Sequence, residues 1–348
     1  MKKAASNTAV IVILLIAAGF AFYRFYYMPR VQKSEASIRT TVDSFVVKKI
    51  LVDPLLIISK KETGVYDLTA RMPQRFTPES LKSEIKTDLN GVERATVEFG
   101  EVETDKTTSL SAAIQSPFNL VCKLRFIRDK KPKIAVILDD WGYSDRNFPY
   151  FASIKDVFTI SVLPGLKFSS AAAEAAYKYK KGIMLHLPMQ PEKKVPMEKI
   201  TILANMDKQQ VVSIVDTQMT KIPHLTGVNN HEGSLVTAKK DIITPVLEVL
   251  RDRNLFFIDS MTTPKTVAYK TAQELGMRWA KRDIFIDNKK EAAYIEAQLK
   301  QVAKLAKSRG WVIAIGHDDP VTIAALARVM PQLAEEGYEF VYPAELLQ

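Results

Sequence analysis

The chain has 348 residues, 47% of them hydrophobic and 25% charged, a composition that excludes intrinsic disorder and allows one large domain plus a small one. The single cysteine, Cys122, excludes an intrachain disulfide and a cysteine-based metal cluster. The net charge of +10 comes mostly from residues 1–132, because residues 133–348 hold 28 Lys and Arg against 25 Asp and Glu. We therefore expect no nucleic-acid partner for the larger part of the chain.

Residues 1–33 predict a membrane anchor or a signal segment. Residues 8–23 carry no charge, two lysines precede them, and tyrosines and arginines follow. Extended to residue 27, the segment reaches about 20 residues, enough to cross the roughly 30 Å hydrocarbon core of a bilayer. A cleaved signal peptide is the alternative, because Gly19 and Ala21 form a small-x-small site. We favour a single-pass anchor in the cell envelope, with the rest of the chain outside the cytoplasm and therefore periplasmic or extracytoplasmic.

Residues 34–128 predict a small α+β domain without visible chemistry. Thr77 is a suitable N-cap for a helix, and Pro78 suits its first turn. The charged, proline-containing stretch 129–132 is interpreted as a linker. The other elements expected before it are a helix at 37–50 and strands at 55–59, 65–72, 95–102 and 118–127.

Residues 133–348 alternate short apolar runs with helical patterns, which predicts an α/β fold with a parallel sheet covered on both faces. The number of units favours a (β/α) barrel over an open doubly wound sheet, and neither a G-x-G-x-x-G motif nor a P-loop follows the first run. Thr237 is a predicted N-cap and Gly310 a predicted C′ residue. The apolar runs span 134–138, 157–163, 182–187, 225–230, 255–260, 283–287, 311–316 and 338–342, and the clearest helical stretches are 207–221, 237–253 and 289–309.

Polar residues cluster where these runs end. In a parallel barrel the carboxyl ends of the strands meet on one face, and three of the four histidines of the chain lie at such positions. Imidazoles and carboxylates can bind a divalent ion such as Zn²⁺, which lowers the pKa of water, and a second carboxylate can then accept a proton. The adjacent aspartates would divide these two tasks. The strand-end residues are Asp139, Asp140, His186, Asn229, Asn230, His231, Asp259, Ser260, Asp287, Asn288, His317 and Asp318.

Several motifs together resemble the divergent polysaccharide deacetylase family, relatives of the NodB-like carbohydrate esterases. These are IAVILDDWGY, HLPMQP, GVNNHEGS, FFIDSMTTP, RDIFIDN and IAIGH, and they occur in order through residues 133–348. The resemblance implies a deformed (β/α) barrel of NodB-like type and the removal of acetyl groups from N-acetylated sugars with a divalent metal. It does not extend to residues 34–128.

The resemblance also implies roles for individual residues. Asp139 matches the catalytic base, Asp140 the metal-binding aspartate and His317 the general acid. Ordinary deacetylases carry two metal-binding histidines in one short motif, whereas LPMQPE follows His186 here, so His231 is the expected substitute. The arginine loop and the Asp-Trp motif of ordinary members are missing. Comparable charges, substrate contacts or support for the ligands are then expected from Asn229, Asn230, Asp259, Arg282 and Asp287.

These observations favour a metal-dependent hydrolase, most simply with Zn²⁺, that deacetylates an N-acetylated glycan or a related cell-wall or envelope polymer. A catalytically inactive envelope module that binds metal or glycan in the same cleft is the main alternative. Two histidines and a carboxylate also suit a non-haem Fe(II) oxygenase. A glycosidase that pairs Asp139 with Asp259 or Asp287 is a further alternative, although it leaves the three histidines unexplained.

Overall fold

The computed structural model describes residues 15, 18–50, 57–61, 64–73, 76–104, 106–117 and 119–348. The chain divides into two compact units, residues 1–130 and 131–348. Residues 8–14, 16 and 17 of the predicted membrane segment lie outside the described residues. Among the residues that the structure describes, no helix is both long enough and apolar enough to span a membrane.

In its described residues, the first unit combines helices with a five-stranded sheet. Helix α1 (Met28–Phe45) lies between two π-helical segments, Phe22–Tyr27 and Val46–Ile50, so the helix predicted at 37–50 begins earlier than expected. Helix α2 (Pro78–Leu89) begins at the predicted N-cap. The strands are β1 (Ile57–Lys61), β2 (Tyr66–Arg71), β3 (Thr96–Glu103), β4 (Thr107–Gln115) and β5 (Leu120–Asp129), in the order β1-β2-β5-β4-β3.

Helix α2 shows why the local sequence folds as it does. The Thr77 hydroxyl accepts a hydrogen bond from the Ser80 amide, and the Ser80 hydroxyl accepts one from the Thr77 amide, which completes a capping box. The apolar side of the helix, at Leu81 and Ile85, is buried in the core of this unit together with residues of α1 and of the sheet. Amphipathic packing of this kind provides most of the stability of a short helix.

The second unit contains a parallel sheet built from nine strands. They are β6 (Lys133–Trp141), β7 (Thr159–Val162), β8 (Gly182–Met189), β9 (Gly227–Glu232), β10 (Phe256–Asp259), β11 (Trp279–Lys281), β12 (Ile284–Phe285), β13 (Trp311–His317) and β14 (Glu339–Phe340). Their order is β11-β10-β9-β8-β7-β6-β13-β12, and β14 pairs with the start of β6.

This sheet curls toward closure, because its two edge strands are consecutive in the chain. Strands β11 and β12 are separated by Arg282 and Asp283, whose backbone amides bond to β10 and β13 respectively. Along β6, residues 134, 136 and 138 pack in one core cluster and residues 135 and 137 in the other. The strand is therefore buried on both faces, and the predicted barrel-like parallel sheet is confirmed.

Helices cover the outer face of this sheet. They are α3 (Pro149–Ser153), α4 (Ser169–Lys178), α5 (Lys208–Met219), α6 (Lys240–Asp252), α7 (Ala268–Glu274), α8 (Ala292–Arg309) and α9 (Pro320–Glu335), with a 3-10 turn at Pro343–Leu346. Gly310 ends α8 with φ 98°, in the left-handed region, as predicted. The prediction for Thr237 is wrong, because Lys239 precedes α6 and the Thr237 hydroxyl instead donates to the Gly233 carbonyl.

Candidate functional site

A β-bulge at the end of β6 brings both adjacent aspartates to one site. Leu138 pairs with Ile160 and Trp141 with Val162, so three steps along β6 match two along β7. Asp140 adopts φ 65°, which is uncommon for a residue other than glycine. Successive side chains of a regular strand point to opposite faces, and the bulge removes that restriction here.

Asp140, His186 and His231 form a cluster that fits a metal ion. Oδ1 of Asp140 lies 3.1 Å from Nδ1 of His231 and 3.3 Å from Nε2 of His186. Among the described residues, this buried oxygen has no hydrogen-bond partner, although both nitrogens are near. One carboxylate and two imidazoles are a donor set that Zn²⁺ and similar ions accept, with positions left open for water or substrate.

The charges around this cluster favour a cation. Burial raises the pKa of Asp140, but the imidazoles of His186 and His231 lower it by more, so that the carboxylate stays ionised. Burial lowers the pKa of His186, and the charges of Asp139 and Asp140 raise it by more. The negative potential that favours a proton on His186 also favours a divalent ion between these side chains.

Asp139 lies beside this cluster in a different environment. Its side chain is 3% exposed, and its Oδ1 accepts a hydrogen bond of 2.9 Å from Nδ2 of Asn229. Oδ2 is 3.7 Å from Nε2 of His186. Burial raises the pKa of Asp139, against the opposing effects of His186 and His317. A carboxyl group with a raised pKa is better suited to accept a proton than one of ordinary pKa.

His317 and Asp287 form a second polar pair beside Asp139. His317 pairs directly with Asp139 in the β6–β13 register. Nδ1 of His317 donates to Oδ1 of Asp287 at 2.9 Å, and Oδ2 of Asp287 accepts from the His317 amide and the Thr322 hydroxyl. Burial lowers the pKa of His317, but the bond to Asp287 and its charge raise it to about 9. The imidazole is therefore protonated at neutral pH.

The two asparagines of β9 have separate partners. Asn229 contacts His186, Asp139, Ser161 and Ser260, and its side chain is fully buried. The Asn230 side chain instead bonds to the Ser260 amide, the Glu232 carbonyl and the Thr262 hydroxyl, which fixes the segment after β10. Asn229 therefore belongs to the site itself, and Asn230 supports a loop at its rim.

Asp259 and Arg282 also organise the segment after β10. The Asp259 carboxylate accepts hydrogen bonds from the Met261 amide, the Thr266 hydroxyl and the Tyr269 amide. Arg282 donates to the carbonyls of Ser260 and Met261. Burial lowers the pKa of Arg282, and the charges of Asp259 and Asp139 only partly oppose this effect.

Three residues at or near the site, Asn147, Ser161 and Tyr143, were not singled out from the sequence. Asn147 donates to Asp318, whose amide bonds to the Asp139 carbonyl, and burial raises the pKa of Asp318 to about 6. Ser161 is a buried hydroxyl of strand β7, and its position two residues after Thr159 in an otherwise apolar run was the available signal for it. At the rim, the Tyr143 hydroxyl donates to Glu198.

Comparison with known proteins assigns the family. Residues 136–347 match the family model described as divergent polysaccharide deacetylase. The chain belongs to this family. The match confirms the resemblance seen in the motifs, and it covers the unit that carries the Asp140, His186 and His231 cluster.

Two curated relatives match a part of the chain that is similar in length to the part matched by the family model. The uncharacterized protein YibQ of Escherichia coli (strain K12) is 32% identical over 201 residues, which is 58% of this chain and 63% of YibQ, so the match spans less than two thirds of that relative. An uncharacterized protein of Haemophilus influenzae is 33% identical over 204 residues, 59% of this chain and 73% of the relative.

Among crystal structures, the uncharacterized protein ATU2773 from Agrobacterium tumefaciens C58 has a TM-score of 0.59 at 19% identity, covering 62% of this chain and 89% of that one. At this level of identity the similarity shows the fold alone.

Proposed function

We propose that the second unit is a metal-dependent hydrolase that removes acetyl groups from an N-acetylated glycan or a related polymer of the cell envelope. The observation that carries this proposal is the different surroundings of the two adjacent aspartates. Asp140 lies in a cluster with two histidines, and Asp139 lies beside that cluster without belonging to it. A site that hydrolyses amides with a metal needs both a ligand set and a nearby base.

Asp140, His186 and His231 would hold the metal. A divalent ion there, for which Zn²⁺ is the best match to the donors, supplies Lewis-acid polarisation of the acetamide carbonyl and lowers the pKa of water. The buried Oδ1 of Asp140 faces nitrogens of both His186 and His231, and this arrangement supports the assignment.

Asp139 would accept the proton of the attacking water, and His317 would protonate the departing amine nitrogen. The raised pKa of Asp139 makes its carboxylate a stronger base than an exposed aspartate. Asp287 holds Nδ1 of His317, which leaves Nε2–H as the proton donor. Cleavage of the amide bond then releases acetate and a free amine on the sugar.

The geometry does not favour the glycosidase alternative. Asp259 accepts hydrogen bonds from three donors of its own loop, and Asp287 accepts hydrogen bonds from His317 and Thr322. Neither carboxylate is therefore suited to pair with Asp139 as the two catalytic carboxyl groups that flank a glycosidic bond.

Acetate release from N-acetylglucosamine oligomers tests the proposal. The purified protein should release acetate, lose this activity after chelation, and regain it when Zn²⁺ is added back. Binding of the oligomers without acetate release, under every divalent ion tested, would contradict the enzyme and favour the inactive binding module.

The cellular location is a proposal that rests on residues 1–33 of the sequence. We propose that the second unit works outside the cytoplasm, where envelope glycans are accessible. Protease treatment of intact spheroplasts should degrade the barrel if this is correct, whereas full protection by an intact inner membrane would contradict it.

A further inference from the structure

Asn229 contacts both His186, the proposed metal ligand, and Asp139, the proposed base. It is fully buried on β9, opposite His186 in the β8–β9 register. Its Oδ1 lies 2.8 Å from Nδ1 of His186 and also accepts from the Ser161 hydroxyl. Its Nδ2 donates to Oδ1 of Asp139 at 2.9 Å and to the Ser260 hydroxyl at 3.1 Å.

The chemistry of these neighbours fixes the orientation of the amide. Nδ2 of Asn229 donates to Oδ1 of Asp139, so the NH₂ group of the amide faces that carboxyl group. Oδ1 then faces His186, and Nδ1 of His186 must carry a proton to donate to it. Nε2 is then the ring nitrogen that faces Oδ1 of Asp140, 3.3 Å away, and it is the atom that would bind the metal.

We infer that Asn229 is a positioning residue that holds His186 as the Nδ1–H tautomer and orients the Asp139 carboxylate. One amide thereby links the metal site to the base. The inference about Asp139 rests on the proposed function, whereas the inference about His186 concerns metal binding alone. Outer partners of metal-binding histidines typically contribute about 10–100-fold in metal affinity.

The variant Asn229→Leu tests the His186 part, because leucine is similar in size but cannot accept a hydrogen bond. We expect Zn²⁺ affinity, measured by calorimetry, to fall by about 10–100-fold. In ¹⁵N-edited NMR of the Zn²⁺-loaded protein, the slowly exchanging Nδ1–H signal of His186 should be present in the wild type and lost in the variant.

Asn230→Leu is the matched control. Asn230 is the adjacent residue and is also buried, but it bonds to the segment after β10 rather than to His186 or Asp139. It should lower thermal stability while leaving Zn²⁺ affinity and the His186 signal unchanged. A purely structural contribution of buried asparagines would instead affect metal binding similarly in both variants, and this result would overturn the inference.

Asn229→Asp gives a second test if Asn229→Leu does not fold. Aspartate keeps an acceptor for His186, so Zn²⁺ affinity should stay close to that of the wild type, and a tenfold loss would contradict the inference. Failure of the proposed function looks different. A wild type that binds Zn²⁺ but releases no acetate would defeat the deacetylase proposal and leave the comparison of metal affinities intact.

Discussion

Asp139 and Asp140 are neighbours in the chain, yet the fold shifts their pKa values in opposite directions. Burial raises the pKa of Asp139, whereas at Asp140 two imidazoles outweigh the same effect and lower it. Two carboxyl groups driven apart in this way can take different roles in one reaction. The bulge in β6 allows the side chains of these two adjacent residues to reach the same site.

His231 should be required for metal binding. In His231→Ala, bound Zn²⁺ should fall, and so should the thermal stabilisation that Zn²⁺ provides, which is about 2.7 kcal/mol at a free concentration of 100 times Kd. His224→Ala is the control, because His224 lies before β9 and stacks on Tyr177, away from the cluster. Equal metal content in His231→Ala and wild type would remove His231 from the ligand set.

Asp287 should control the protonation of His317. The His317 pKa of about 9 lies above the ordinary value of about 6.5, so the charged pair stabilises the fold fully below pH 6.5 and loses this contribution as pH rises through about 9. Acetate release should fall over the same alkaline range. In Asp287→Asn, we expect both the NMR titration of His317 and the alkaline limit to move toward pH 6.5.

Asp319→Asn is the control for Asp287→Asn. Asp319 caps α9 two residues after His317 and does not bond to its ring. Asp319→Asn removes the same charge, yet it should leave the titration of His317 near pH 9. An unchanged titration in Asp287→Asn would show that Asp287 does not set the pKa.

At the scale of elements, the segment between β10 and α7 depends on one buried carboxylate. In Asp259→Ala, the free energy of unfolding in urea should decrease by about 1–3 kcal/mol for each donor left buried without an acceptor. The exposed Asp252→Ala should change it by less than about 0.5 kcal/mol. Unchanged stability together with a raised KM for glycan would instead assign Asp259 to substrate binding.

The positions of the longer buried strands could be predicted from the sequence, whereas most contacts between side chains could not. Apolar runs predicted β6, β8 and β13 together with the residues that follow them, because a strand buried on both faces has a distinctive composition. Short strands such as β11 and the polar strand β4 were not predicted, since three residues or mixed polarity give a weak pattern.

The same limit applies to the site. Parallel topology predicted that the strand-end residues meet on one face, and the family resemblance singled out Asp140, His186 and His231 among them. The bulge at Asp140 and the four bonds of the Asn229 amide could not, because both depend on register and on side chains from several strands.

At the scale of the whole molecule, the two compact units should separate on limited proteolysis. Cleavage near residues 129–132 should leave a stable fragment of about 24 kDa, as expected for residues 131–348 of a 39.1 kDa chain. The fragment should retain the circular dichroism of an α/β protein and should bind Zn²⁺. Rapid degradation of the second unit after that cleavage would show that it does not fold independently.

The division of roles between the two aspartates can be measured with one pair of variants. Asp139→Asn should retain bound metal while acetate release falls on the order of 10²-fold or more, since asparagine cannot accept the proton. Asp140→Asn should lose metal first and recover part of its activity at high metal concentration. Equal loss of metal in both variants, or unchanged metal and acetate release in both, would contradict the assignment of Asp139 as base and Asp140 as ligand.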